Sequence, residues 1–142
     1  MEHIMSEEVK EPRGLKLDGS SYKVLIVDDS IFVQKQLRQI LTSEQFDIID
    51  AASDGTEGVE KYKQHQNEID VVTLDITMPN MDGITALEHI MKVNPKAKVI
   101  MISALGKEEL VKQALVAGAK NYIVKPLDRE KVLSRIHAVV SR

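Results

Sequence analysis

From Lys23 onward the chain alternates short, uniformly apolar runs with longer stretches whose apolar residues recur at helical spacing. The apolar runs are KVLIV at 23–27, FDIIDA at 46–51, VVTL at 71–74, KVIMI at 98–102 and NYIV at 121–124, each bounded by Gly, Pro, Asn, Asp or Ser. A run apolar at every position suits a strand covered on both faces, as in a parallel sheet. Between the runs the pattern predicts helices over 31–43, 55–65, 84–91, 107–117 and 129–140. In the first of these Phe32, Leu37, Ile40 and Leu41 share one face, with Gln34, Lys35, Arg38 and Gln39 elsewhere. Gly118 stands where a C′ glycine belongs, and Pro126 with Asp128 opens the last helix. Five strands alternating with five helices imply an α/β fold: a flavodoxin-like, doubly wound parallel sheet in the order 2-1-3-4-5, joined by right-handed crossovers with helices on both faces.

Residues 1–20 break the pattern. They mix charges with Pro12, Gly14 and Gly19 and keep no period, so they are expected to form a flexible N-terminal extension ahead of a domain at 21–142. GLKLDG within them could pair as an additional edge strand.

In an open parallel sheet the carboxyl ends of all strands meet at one edge, where ligands bind at the switch point of strand order. Strand 1 ends on Asp28 and Asp29, strand 3 on Asp75, strand 4 on Ser103 and strand 5 on Lys125. Strand 2, outermost in the expected order, contributes nothing comparable. Taken singly, each residue has an ordinary structural role: one of Asp28, Asp29 or Ser30 as a helix cap, Asp75 as a turn residue, Ser103 as a cap and Lys125 as a solvated strand end. Taken together they converge on chemistry. Adjacent ionised carboxylates repel by about 4 kcal/mol at about 4 Å in an effective dielectric of about 20, a cost that a cation removes. Oxygen ligands without sulfur or imidazole suit a hard divalent ion, which makes Mg²⁺ the expected cofactor, with Asp28 and Asp29 holding it. An ion so held keeps positions for phosphate oxygens, and a nearby lysine and hydroxyl can hold the others. Asp75 is then the candidate nucleophile toward phosphorus, assisted by Lys125 and Ser103.

Composition narrows the classes. The 142 residues are enough for one domain with a core, and 43% hydrophobic with 29% charged residues is ordinary for a globular chain. A net charge of −3 gives no footprint for nucleic acid. The absence of cysteine removes disulfides, thiolate metal sites and a cysteine nucleophile, which fits a cytoplasmic protein. No stretch approaches the roughly 18 apolar residues of a membrane span, so no membrane association is expected.

The DD pair at 28–29, the DITMP loop from Asp75, the SA step at Ser103 and the KP end at Lys125 occur in that order, and together they resemble the receiver domain of two-component response regulators over residues 22–142. The resemblance implies that Asp75 accepts a phosphoryl group from a histidine kinase. It implies that Asp29, Asp75 and the backbone carbonyl of Thr77 ligate Mg²⁺, with Asp28 acting partly through water. Ser103 and Lys125 would contact the phosphoryl oxygens, Ser103 and Tyr122 would form the switch pair, and the Lys125-Pro126 bond would be cis. Such a domain is not an enzyme with a substrate of its own; it catalyses its own phosphorylation and slow dephosphorylation. With no output domain in the sequence, the resemblance points to a stand-alone receiver. DITMPNMDGI and MISALG are most similar to the chemotaxis receivers, whose partners are the kinase CheA, the flagellar motor switch protein FliM and a chemotaxis phosphatase. The alternatives are a phosphorelay intermediate and a magnesium-dependent phosphatase of the haloacid dehalogenase type. The latter matches poorly, because Thr77 stands where those enzymes carry Asp. Tyr122 could equally be an amphipathic tyrosine at the sheet margin.

Overall fold

The computed structural model describes residues 11–142. Its elements run β1 (Lys23–Val27), α1 (Ile31–Thr42), β2 (Asp47–Ala52), α2 (Gly55–His65), β3 (Val71–Asp75), α3 (Gly83–Val93), β4 (Val99–Ser103), α4 (Glu108–Val116), β5 (Asn121–Val124) and α5 (Arg129–Val140). All pairings are parallel and the order is β2-β1-β3-β4-β5, as the alternation of apolar runs requires. β3 and β4 are buried at every residue, which is why their sequences carry no alternation.

Helices cover both faces. α1 and α5 pack Leu37, Leu41, Val132, Leu133 and Ile136 against Val24, Ile26, Ile100 and Ile123. The opposite face carries α2, α3 and α4, with Tyr62, Leu87, Ile90 and Val111 against Leu25, Val72, Leu74 and Met101.

Helix ends follow local chemistry. Ser30, Asp54, Asp82 and Asp128 each accept a bond from the backbone amide three residues on, at the starts of α1, α2, α3 and α5. α4 has no side-chain cap and follows Gly106 at φ +87°, so it begins at Glu108 instead of the expected 107. α3 is longer than expected at both ends, because the Asp82 cap includes Gly83 in the first turn.

Of the expected extension, residues 1–10 lie outside the described residues. The rest turns back on itself through one antiparallel bridge, Leu15 to Ser21, and GLKLDG adds no strand to the sheet. Arg13 pairs with Glu44 beyond α1 and with Glu130 on α5, Gly14 N–H donates to the Glu44 carbonyl, and Lys16 pairs with Asp70.

One core residue conflicts with its surroundings. Thr73, fully buried in β3 between Ile26 and Ile100, has a hydroxyl with no hydrogen-bond partner among the described residues. An unsatisfied buried hydroxyl costs about 1–3 kcal/mol. Thr73→Val keeps the shape, so its denaturation midpoint should rise by the equivalent of about 1 kcal/mol; a lower midpoint would mean that the hydroxyl is satisfied in solution.

Candidate functional site

Asp28 directly follows β1, and the chain turns there under several constraints. Asp28 Oδ1 accepts from Ser30 N–H at 2.9 Å, while Ser30 Oγ caps α1 by accepting from Val33 N–H. Capping therefore falls to Ser30, and neither aspartate is needed for it. Gln34 Nε2 donates to the carbonyls of Asp28 and Ala52, at 2.7 and 3.2 Å, holding the ends of β1 and β2 together. The sequence pattern placed Gln34 only on a polar helix face.

Asp75 closes β3, and Thr77 N–H reaches its Oδ1 at 3.4 Å. The 76–83 loop is clamped to the strand end by Gly83 N–H donating to the Ile76 carbonyl at 2.7 Å. Ser103 closes β4, fully buried, with its hydroxyl donating to the Ala104 carbonyl at 2.8 Å. Lys125 follows β5 with a cis bond to Pro126, and its Nζ lies 3.5 Å from Asp28 Oδ2 and 3.6 Å from Asp75 Oδ2.

Carboxylate oxygens of Asp28, Asp29 and Asp75 lie within 4.8 Å of one another, and this is the metal-capable cluster found among the described residues. Asp28 and Asp75 are buried at 0% and 4% exposure, while Asp29 is exposed and so opens the cluster to solvent. Burial, then the Asp28 charge, pushes the Asp75 carboxyl up to about 7 against the pull of Lys125. Burial also raises Asp28, opposed by the Ser30 amide and Lys125. Among the described residues Asp28 Oδ2 has no hydrogen-bond partner, only the Lys125 ammonium at 3.5 Å. Three carboxylates, two of them sharing a single lysine that cannot balance all three charges, fit a hard cation with open positions for water and phosphate oxygens. The sheet edge thus brings Asp28, Asp29, Asp75 and Lys125 into one site. Ser103 stands one residue beyond the β4 partner of Asp75, and Thr77 is exposed in the loop above.

Tyr122, in β5, packs half-buried against the α2–α4 face. A cavity of about 280 Å³ opens beside it, lined by Ser103, Val111, Leu115, Tyr122 and Val124 among others.

Residues 24–137 match the response regulator receiver domain model. The chain belongs to the response regulator receiver family. Its receiver sequence is 64% identical over 129 residues to the chemotaxis protein CheY of Treponema pallidum, covering 91% of this chain and 90% of that protein. It is 43% identical to CheY of Bacillus subtilis, covering 85% and 99%. A CheX-CheY-BeF3-Mg²⁺ complex from Borrelia burgdorferi superposes with a TM-score of 0.89 at 62% identity, covering 92% of this receiver and 98% of that chain. Within the family the receiver groups with the chemotaxis regulators, and neither a relay intermediate nor a haloacid dehalogenase-type phosphatase is favoured. Such receivers are phosphoacceptors without a dedicated catalytic activity. Among the described residues no helix is long and apolar enough to cross a membrane.

Proposed function

We propose that residues 21–142 act as a chemotaxis response regulator, phosphorylated on Asp75 by a histidine kinase of the CheA kind. The observation that carries this is the carboxylate cluster, buried at Asp28 and Asp75 and open at Asp29, with Lys125 within 3.6 Å of Asp75 and Asp28. Asp29, Asp75 and the Thr77 carbonyl would hold Mg²⁺, with Asp28 beside them. When bound, the ion supplies charge neutralisation for the carboxylates and for the phosphoryl oxygens.

The chain's own groups do the rest. An Asp75 carboxylate oxygen attacks phosphorus; the bond from phosphorus to the donor atom breaks, and the donor leaves with that electron pair. Lys125 already faces Asp75 and donates to a phosphoryl oxygen. Ser103 rotates from the Ala104 carbonyl to donate to another. The vacated space beside Ser103 admits the Tyr122 ring, a two-state rearrangement biased by the new charge. A flagellar switch protein of the FliM kind reads the altered surface, and a chemotaxis phosphatase resets it; the related CheY crystallised with CheX is consistent with such a partner. A receiver that serves such partners would act in the cytoplasm.

Intact mass after incubation with Mg²⁺ and a small acyl-phosphate donor tests the reading. One phosphoryl adduct is expected, lost on chelation of the metal. If beryllofluoride with Mg²⁺ also fails to bind, the constellation is structural and the proposal fails.

A further inference from the structure

Arg135 reaches from α5 around the outer edge of the sheet to β5. Its Nη1 donates to the Tyr122 carbonyl at 2.7 Å and lies 3.5 Å from Asn121 Oδ1. Its guanidinium carbon sits 5.1 Å from the centroid of the Tyr122 ring. Among the described residues β5 pairs with β4 alone, so on its other side strand carbonyls have no ladder partner there. Arg135 fills that need and, through the same planar group, faces the ring.

Tyr122 is therefore placed between two environments. On one side is the fixed guanidinium; on the other is the largely apolar cavity beside Ser103. The guanidinium is anchored by the carbonyl and cannot follow the ring inward. Entry of the ring into the cavity thus gives up the cation–π contact, while the carbonyl bond remains. Lys can keep a cation near the ring, whereas Gln can replace the donor but not the charge.

We propose that Arg135 is a positioning residue that holds the Tyr122 ring at the sheet edge in the resting protein and so sets the fraction of rings that enter the cavity beside Ser103. This rests on the reading of Tyr122 as the switch ring. Cation–π contacts at partly exposed sites are worth about 0.5–1 kcal/mol, so loss of this one shifts the ring equilibrium inward by roughly two- to fivefold.

The chain holds three tyrosines, Tyr22, Tyr62 and Tyr122, so fluorotyrosine labelling gives three fluorine NMR signals, assigned with Tyr122→Phe. Addition of Mg²⁺ and beryllofluoride to the full chain defines the loaded position of the Tyr122 signal. In the unloaded protein, Arg135→Gln should move that signal toward the loaded position by the stated population shift. Arg135→Leu should do the same, and Arg135→Lys should restore most of the resting position. The Tyr62 signal, from a ring buried on α2 whose hydroxyl accepts from Asn94 Nδ2, should stay fixed and reports that the variants are folded. A resting Tyr122 signal unchanged in Arg135→Gln overturns the role of Arg135. A wild-type signal that does not respond to beryllofluoride overturns the switch reading itself, and the proposal with it.

Discussion

Asp75→Asn should abolish the phosphoryl adduct and at the same time make the metal-free protein more stable at neutral pH. The first effect follows from chemistry: an amide oxygen is a poor nucleophile toward phosphorus and forms no stable acyl phosphate, so uptake should fall to background. The second follows from the Asp75 carboxyl, which burial and the Asp28 charge push up to about 7. In the unfolded chain the same group titrates near its ordinary value of about 3.9. A raised folded value means that the protonated group favours the folded state. That contribution is complete below about pH 4 and is lost as pH rises through about 7. Metal-free wild type should therefore lose stability across this window, by something on the order of 2–4 kcal/mol, discounted for sharing protons with Asp28. Asp75→Asn should flatten the slope and gain several degrees in Tm at pH 8, with little gain at pH 4. Thermal unfolding in a chelator across this pH range checks it. An equal slope in both proteins would show that the carboxylate is not strained by its neighbours, and an adduct on the variant would place the acceptor elsewhere.

Much of this site was legible because a parallel sheet converts sequence position into spatial position. Strand carboxyl ends share an edge, so the sequence positions of Asp28, Asp29, Asp75 and Lys125 predict a common location, and the structure brings their charged groups together. The fold was legible for the same reason: apolar runs with no alternation leave few ways to cover both faces. Helix ends were less so. The start of α3 depends on whether Asp82 or a later residue caps, and the start of α4 on a turn through Gly106. Arg135 and Gln34 were invisible because their partners are backbone carbonyls on other elements, at β5 and at the ends of β1 and β2. A carbonyl has no sequence signature. Gly83 was visible only as part of a loop, although its surroundings make it one of the most constrained positions near the site.

Gly83→Ala should be the most damaging single-methyl change near the phosphosite. Gly83 is buried in the first turn of α3, with its N–H bonded to the Ile76 carbonyl. A Cβ there would collide with the carbonyl oxygen of Asp75, with Ile76 Cα only 2.7 Å away. These are backbone atoms at the end of the central strand, and no rotamer change can clear them. Either α3 moves off the sheet, weakening the Ala86, Leu87 and Ile90 packing, or the 75–76 backbone shifts and carries the Asp75 carboxylate with it. Overpacking of this kind costs about 1–3 kcal/mol and more when backbone must move, so a loss of about 3 kcal/mol or greater is expected. In an exposed helix the same substitution would stabilise by up to about 1 kcal/mol, so the sign of the change separates steric constraint from helix propensity. Urea denaturation gives the stability, and the rate of adduct formation on the folded fraction gives the displacement of Asp75. A variant as stable as wild type would show that the loop has slack, and the close approach of Gly83 to Asp75 would then have no part in fixing the carboxylate.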